Sequence, residues 1–180
     1  DITPFFKQIT DDKFAVTGGE LAKLSNQFYL VGGQRFDGQY NPMGHGTYVQ
    51  TYTEAIQKFT LNNSGATLSY SGYEKITDPI HLHRRDYNLL SHIFPDGSEG
   101  LVISSGVFQQ FVDLPFLYPV EIKEDGYVAK TEFNQYLNNY HTAHTNIYDS
   151  LENKMTSLFF GGISQYYYVD GALHQDDFVP

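Results

Sequence analysis

The chain has 180 residues, of which 41% are hydrophobic and 18% are charged, a composition typical of a globular domain with a sizeable core. Its 11 basic and 21 acidic residues give a formal net charge of −10, which argues against binding to nucleic acid or anionic lipid. The absence of cysteine excludes disulfides, zinc–thiolate centres and thiol nucleophiles. Residues 1–10 lack the pattern of a signal peptide, and no apolar run is long enough for a membrane helix. Because the chain starts with Asp, we expect a processed protein or a piece of a longer one.

The first predicted unit covers residues 13–78 and is built of β-strands. Tyr and Phe supply the whole aromatic content of 16%, and both favour the half-buried surface of a sheet. Strands are expected at residues 14–17, 26–31, 55–61 and 67–76. The segment 34–48 carries several glycines and an Asn-Pro pair, so we interpret it as a long loop.

The second unit is predicted at residues 83–135 and an incomplete third unit at residues 140–180. Strands of the second unit are expected at residues 86–94, 100–105, 119–123 and 127–133. A tight turn is predicted at residues 95–97, because proline fixes φ and glycine accepts a positive φ. In the third unit, strands are expected at residues 145–148 and 155–160, and residues 164–168 form either a loop or a further strand.

Three of these strands end alike, with an apolar or aromatic run followed by glycine. The runs occupy residues 28–33, 101–106 and 158–162. Similar strand endings at three places indicate a repeated β unit. A single unit of this kind cannot bury both of its faces, so each unit requires a neighbour.

The repeated segments resemble the kelch repeat, a four-stranded β-propeller blade whose second strand ends in a glycine pair. Gly32-Gly33 and Gly161-Gly162 match that pair, whereas the middle copy has Ser105-Gly106 and the chain has no tryptophan. The resemblance implies an all-β chain of antiparallel four-stranded sheets. It also implies that residues 1–180 are part of a single incomplete propeller, with about two and a half blades. The alternative is a self-contained β-sandwich.

Two segments carry the residue types best suited to ligand binding. The polar run at residues 81–87 contains two of the three arginines, and the planar guanidinium fork can bind a carboxylate such as that of an acidic sugar. The loop at residues 34–48 is long and aromatic, and such loops carry function more often than strands do. The candidate ligand-binding residues are Arg35, Tyr40, Asn41, His83, Arg84, Arg85 and Asp86. The alternatives are a structural Arg–Asp pair in the first segment and a packing loop in the second.

Signals for catalysis or cofactors are weak. The chain contains no P-loop, no dinucleotide-binding glycine motif and no Ser-His-Asp order, so we predict no cofactor and no catalytic residue. His141 and His144 form an H-x-x-H pair, but carboxylates at a suitable spacing are missing, so no metal site is predicted.

These observations favour a secreted or cell-surface recognition module that binds protein or glycan through propeller loops. Its partner is expected to be another protein, a glycan or the remaining blades of the same polypeptide. The Tyr-, Asn-, Gln- and Gly-rich, cysteine-free composition resembles that of exported proteins of Bacteroidetes-type bacteria. The alternatives are a carbohydrate-active enzyme (an epimerase, hydrolase or lyase) and a structural subunit of a surface assembly. If the protein is an enzyme, we expect His, Arg and acidic side chains from different blades to meet in one pocket. If it is a binding module, we expect an exposed aromatic patch.

Overall fold

The structure of the protein is a computed structural model that describes residues 1–40, 46–137 and 139–176. These residues form strands and turns, together with two short 3₁₀ helices at Thr3–Phe5 and Asp12–Phe14. The described strands are, in chain order, β1 (Glu20–Leu24), β2 (Gln27–Val31), β3 (Gln34–Gly38), β4 (Tyr48–Tyr52), β5 (Ala55–Asn62), β6 (Ser69–Thr77), β7 (Arg85–Ile93), β8 (Glu99–Val107), β9 (Val120–Lys123), β10 (Gly126–Ala129), β11 (Ala143–Asp149), β12 (Lys154–Phe160), β13 (Tyr166–Val169) and β14 (Ala172–Gln175). The predicted all-β class is therefore confirmed. In the part of the chain that the structure describes, no helix is long and apolar enough to cross a membrane.

Two antiparallel four-stranded sheets form the centre of the structure, as predicted. Sheet 1 has the strand order β1-β2-β5-β6, and sheet 2 has the order β10-β9-β8-β7. Each is an up-and-down meander, except that the hairpin β3–β4 is inserted between β2 and β5. The hairpins β11–β12 and β13–β14 each form a separate two-stranded sheet. Of the two structures considered for residues 164–168, a loop or a strand, the strand is therefore confirmed, as β13.

The second unit follows the predicted strands closely because its turns have strong local signals. At the predicted turn, Gly97 has a φ of 81° and donates its N–H to the Phe94 carbonyl oxygen at 2.8 Å. The last strand is shorter than predicted and ends at Ala129. Beyond it, the Lys130 carbonyl accepts a hydrogen bond from the Phe133 N–H at 3.0 Å, which closes a turn where continued strand was expected.

The strand predicted at residues 14–17 is wrong. The Asp11 carboxylate accepts a hydrogen bond from the Lys13 N–H at 3.0 Å and starts a 3₁₀ helix in place of extended chain. Only Thr17 pairs with another segment, through an isolated bridge to Gln34. The first strand of sheet 1 is β1 instead, which the sequence pattern did not indicate.

The loop predicted at residues 34–48 is also wrong in part, since it contains β3 and the first residue of β4. Gln34 pairs with Tyr52 and Gly38 pairs with Tyr48, which gives a regular antiparallel hairpin. The Phe36 and Tyr48 rings stack across the two strands with centroids 4.9 Å apart. Cross-strand aromatic pairs of this kind stabilise a two-stranded ribbon.

The hydrophobic core lies between sheets 1 and 2, which pack face to face. Its buried members are Leu24, Tyr29, Val31, Ile56, Leu82, Tyr87, Leu89, Leu101, Ile103, Val120 and Ile122. Each such side chain contributes roughly 1.5–3 kcal/mol when fully buried. This shared core therefore makes each sheet depend on the other for its stability, as the repeat pattern predicts.

The first strands of consecutive units lie side by side, with β1 in contact with β7 and β7 in contact with β11. The core residues Leu89 and Leu101 face sheet 1, whereas Leu90 and Val102 on the opposite face of sheet 2 lie towards β12. The units thus form successive layers, which differs from a two-sheet sandwich with one interior. The described residues form no closed barrel, an arrangement consistent with part of a blade-built fold.

Candidate functional site

In each unit a glycine lies at or next to the end of the second strand, and the chain then forms a projecting hairpin. The first hairpin is β3–β4, which follows Gly33. The second comprises residues 108–114 and is held by a bridge between Gln109 and Val112. The third is β13–β14, which follows Gly162. We call the end of the sheets that carries these three segments the hairpin end.

Contacts between the units place all three hairpins at this same end. Gly33, at the base of the first hairpin, donates its N–H to the Arg84 carbonyl oxygen at 3.4 Å, just before β7 begins. The Asp86 carbonyl, at the start of β7, accepts a hydrogen bond from the His141 N–H at 3.1 Å, just before β11 begins. Because β8 and β12 run antiparallel to β7 and β11, both end where those two strands start.

Glycine is required at the base of the first hairpin. Gly33 has a φ of 75°, and a Cβ atom at this position would lie 2.5 Å from the Gly19 nitrogen. Any other residue would overlap the neighbouring backbone in addition to the strain of a positive φ. The glycine pair recognised in the sequence therefore lets two main-chain segments approach closely as the chain leaves sheet 1.

The hairpin end exposes aromatic side chains on all three hairpins. On the first hairpin, Tyr40 is 64% exposed and its ring centroid lies 5.7 Å from that of Tyr48. On the second hairpin, Phe111 is 84% exposed. On the third, Tyr168 is 64% exposed, and the neighbouring Tyr167 ring stacks on His174 at 5.4 Å. Large apolar side chains exposed at one end of a molecule are characteristic of an interaction surface.

Two of the sequence-predicted candidates lie on the first hairpin, and a third falls outside the described residues. Tyr40 belongs to the exposed aromatic group. The Arg35 guanidinium is engaged within its own strand, with Nε 2.8 Å and 3.0 Å from the two carboxylate oxygens of Asp37. Asn41 lies outside the described residues.

Between the first two hairpins lies a polar cluster around His83. The His83 ring stacks on Tyr52 with centroids 3.8 Å apart, and its Nδ1 is 2.8 Å from the Glu54 Oε1. Burial raises the pKa of the Tyr52 hydroxyl. Tyr52 is the last residue of β4 and Glu54 follows it, whereas His83 precedes β7. The cluster therefore joins the first two units. Neither Tyr52 nor Glu54 could be recognised from the sequence, because both lie far along the chain from the polar run at residues 81–87.

Arg85 and Asp86 extend this cluster towards the second hairpin. The Arg85 guanidinium lies over the Phe108 ring at 4.1 Å, a cation–π geometry. Its Nε is 3.6 Å from an Asp86 carboxylate oxygen. Both side chains are partly exposed.

Arg84 is held in the protein interior, only 1% exposed. Its guanidinium donates to three main-chain carbonyl groups, those of His81 (2.8 Å), Ser105 (2.9 Å) and Tyr118 (3.0 Å). It also lies 4.0 Å from the centre of the Phe116 ring. Burial lowers its pKa to about 10, so the group stays charged at neutral pH. These contacts give Arg84, one of the ligand-binding candidates, a structural role beneath the hairpin end. Its partners are carbonyl groups, and not the aspartate of the alternative interpretation.

No group of three or more His, Asp or Glu side chains in the described part of the chain is arranged to hold a metal ion. A comparison of the chain with protein-family models finds no match. Comparisons with curated proteins and with solved structures also find none. The resemblance to kelch repeats therefore stays a prediction, supported by the sequence motifs and by the arrangement of the sheets.

Proposed function

We propose that this protein is a bacterial recognition module, secreted or exposed at the cell surface, that binds protein or glycan through the hairpin end. In this proposal the chain is part of a kelch-like propeller of about two and a half blades, and its partners include any remaining blades. The repeated four-stranded meanders, with their first strands side by side, support that architecture.

The observation that carries the proposal is the exposed aromatic residue on each of three consecutive hairpins. Tyr40, Phe111 and Tyr168 lie on the first, second and third hairpins, and none of them belongs to the core. Aromatic residues dominate the energetics of recognition surfaces because they bury large areas at small entropic cost. Aliphatic neighbours such as Val112 and Leu173 are also exposed, which favours a protein partner over a sugar chain.

The test screens the 180-residue chain against a glycan microarray and against a displayed library of random peptides. Ligands selected by the wild-type chain are then measured against the triple variant Tyr40→Ala, Phe111→Ala, Tyr168→Ala. We expect at least a tenfold loss of affinity, because contact residues that cost more than about 1.4 kcal/mol on truncation are typical of interface centres.

The matched control removes three exposed apolar side chains that lie away from the hairpin end. The variant Phe5→Ala, Phe6→Ala, Leu151→Ala deletes residues that are all highly exposed. Its affinity should stay within twofold of the wild type. Equal losses in both variants, or ligands that bind the hairpin variant unchanged, would refute the proposal. Binding to glycans but to no peptide would assign the surface to sugar recognition.

The second candidate function is a carbohydrate-active enzyme, favoured by one observation. The Glu54–His83 pair resembles an oriented general base, since the carboxylate fixes one ring nitrogen at 2.8 Å and leaves the other for chemistry. Incubation with neutral and uronic-acid polysaccharides tests this function, with His83→Gln as the inactivating variant and His174→Gln as its control. Turnover that His83→Gln abolishes would establish the enzyme, and unaltered polysaccharides would exclude it for those substrates.

A further inference from the structure

The two faces of sheet 2 have different characters. One face packs on sheet 1 and belongs to the core, with residues such as Leu89 and Ile103. The opposite face borders a cleft of about 470 Å³, whose other walls are the segment 130–135 and strand β12. This volume lies within the range of small-molecule binding sites, roughly 300–1,000 Å³. We call it the inter-unit cleft, and it is separate from the hairpins described above.

The floor and one wall of the inter-unit cleft are apolar. Leu90 and Val102 from neighbouring strands of sheet 2 form the floor, and Phe159 of β12 faces them. An aromatic ring opposite two branched aliphatic side chains is a suitable contact for a flat apolar group. The cleft thus offers a ring-sized apolar ligand contacts on two sides.

The polar residues of the cleft leave one negative charge without compensation. Four ionisable side chains line it, namely His92, Glu121, Lys130 and Glu132. The Lys130 Nζ is 3.3 Å from a Glu132 carboxylate oxygen, so these two charges neutralise each other. Burial lowers the pKa of His92 against the opposing effect of Glu121, and the ring is therefore mainly neutral at pH 7.

Glu121 is the source of that remaining charge. Among the described residues its carboxylate is in no ion pair. Lys123 is the nearest basic residue along β9, and its Nζ is paired with the Asp96 Oδ2 at 2.8 Å. A half-buried carboxylate beside an apolar floor attracts a cation more strongly than a fully solvated carboxylate does, because the local dielectric is lower.

We propose that the inter-unit cleft binds a small organic cation, an amine carried on an apolar or aromatic body. The amine faces Glu121, and the body lies between the floor residues Leu90 and Val102 and the Phe159 ring. The cleft shares no lining residue with the three hairpins, so the two sites can be tested independently. Occupation of the cleft would also tie β12 to sheet 2 through the shared ligand.

The experiment uses nuclear magnetic resonance on the ¹⁵N-labelled chain with two probes of nearly equal shape. The cationic probe is 2-phenylethylamine and the neutral probe is 2-phenylethanol. We expect saturable shifts of the Leu90, Val102 and Phe159 amides with the amine, and at least fivefold weaker binding of the alcohol. Charge-assisted contacts are roughly twice as strong as neutral ones, which is the reason for the preference.

The diagnostic variant is Glu121→Gln, which keeps the size of the side chain and removes its charge. It should reduce the affinity for the amine about fivefold or more and leave the affinity for the alcohol unchanged. The matched control is Glu152→Gln, at an exposed position in the turn between β11 and β12. Its spectrum and its amine binding should match those of the wild type.

Three outcomes would overturn the proposal. The first is equal binding of the two probes, since that would make the charge of Glu121 irrelevant. The second is an equal effect of Glu121→Gln and Glu152→Gln, which would indicate nonspecific attraction to an acidic protein. The third is the absence of saturable shifts up to the solubility limit of the amine, which would show that the cleft is not a binding site.

Discussion

Removal of the Tyr87 hydroxyl tests whether the first two units are joined as the structure indicates. Tyr87 lies in β7, the first strand of the second unit, and is 2% exposed. Its hydroxyl donates to the carbonyl oxygen of Val31 and accepts a hydrogen bond from the Glu20 N–H at 2.8 Å, so it connects β7 with both β1 and β2. Burial raises the pKa of this hydroxyl above its ordinary range, which keeps it protonated under all mild conditions.

The expected cost of Tyr87→Phe follows from the two main-chain groups that lose their partner. The Val31 carbonyl belongs to a fully buried residue and the Glu20 N–H to a partly buried one. A buried polar group without a partner costs about 1–3 kcal/mol. Because the Glu20 N–H can recover some solvation, we expect the free energy of unfolding to fall by about 2–4 kcal/mol, within the range these two costs allow.

Urea unfolding followed by circular dichroism measures this difference, with Tyr40→Phe as the matched control. Tyr40 is 64% exposed, so deletion of its hydroxyl should change the free energy of unfolding by less than about 0.5 kcal/mol. If Tyr87→Phe falls within the same 0.5 kcal/mol of the wild type, the inferred contact between units is not present in solution, and the layered arrangement is refuted.

Three further predictions concern the structural ties around the hairpin end and sheet 2. Arg84→Met should lower the free energy of unfolding by about 3 kcal/mol or more in urea titrations, because three main-chain carbonyls lose their donor. A loss below about 1 kcal/mol would contradict the structural role of Arg84. Gly33→Ala should destabilise the protein by at least about 2 kcal/mol more than Gly18→Ala. Both glycines have a positive φ, but of the two only Gly33 has backbone atoms within 4 Å of the added Cβ. Equal losses of stability would refute the close approach of the backbone at Gly33. Burial and the hydrogen bond to Asp78 raise the pKa of Tyr127 to about 12, so the folded chain holds this proton more tightly than the unfolded chain, and the stability that it provides is lost as the pH rises above 10. Urea midpoints between pH 9 and 11.5 should therefore fall less steeply in Tyr127→Phe than in the wild type, and parallel curves would disprove the assignment.

The sequence by itself determined the all-β class, the repeat of four-stranded units and most of the strands in the second unit. These features depend on interactions between residues close in the chain. Alternation along a strand selects one face for burial, and turn residues such as Asp96 and Gly97 close a hairpin whatever surrounds it, with the Asp96 carboxylate accepting the Ser98 N–H at 2.9 Å. The glycine endings likewise mark close backbone approach before any partner is known.

The candidate site was recognised only in part, for the same physical reason. Arg84 and Arg85 are adjacent and chemically alike, yet Arg84 is buried among three carbonyl groups and Arg85 lies over the Phe108 ring. Which arginine faces the interior depends on the path of the chain before β7. Likewise, the contact of His83 with Glu54 exists only because β4 returns to the start of sheet 2.

Tertiary structure alone decided three features: the hairpin β3–β4, the common end from which all the hairpins project, and the inter-unit cleft. The strands of the hairpin are joined by the long segment 39–47, and the other two features arise from segments far apart in sequence. Local propensity carries little information about how such segments meet. The glycine-rich sequence of the hairpin segment is compatible with both a loop and a strand, and the pairing of residues such as Gln34 and Tyr52 selects the strand. The charge of Glu121 gains its significance only when β12 and the segment 130–135 close around it, because burial is a property of the assembled layers.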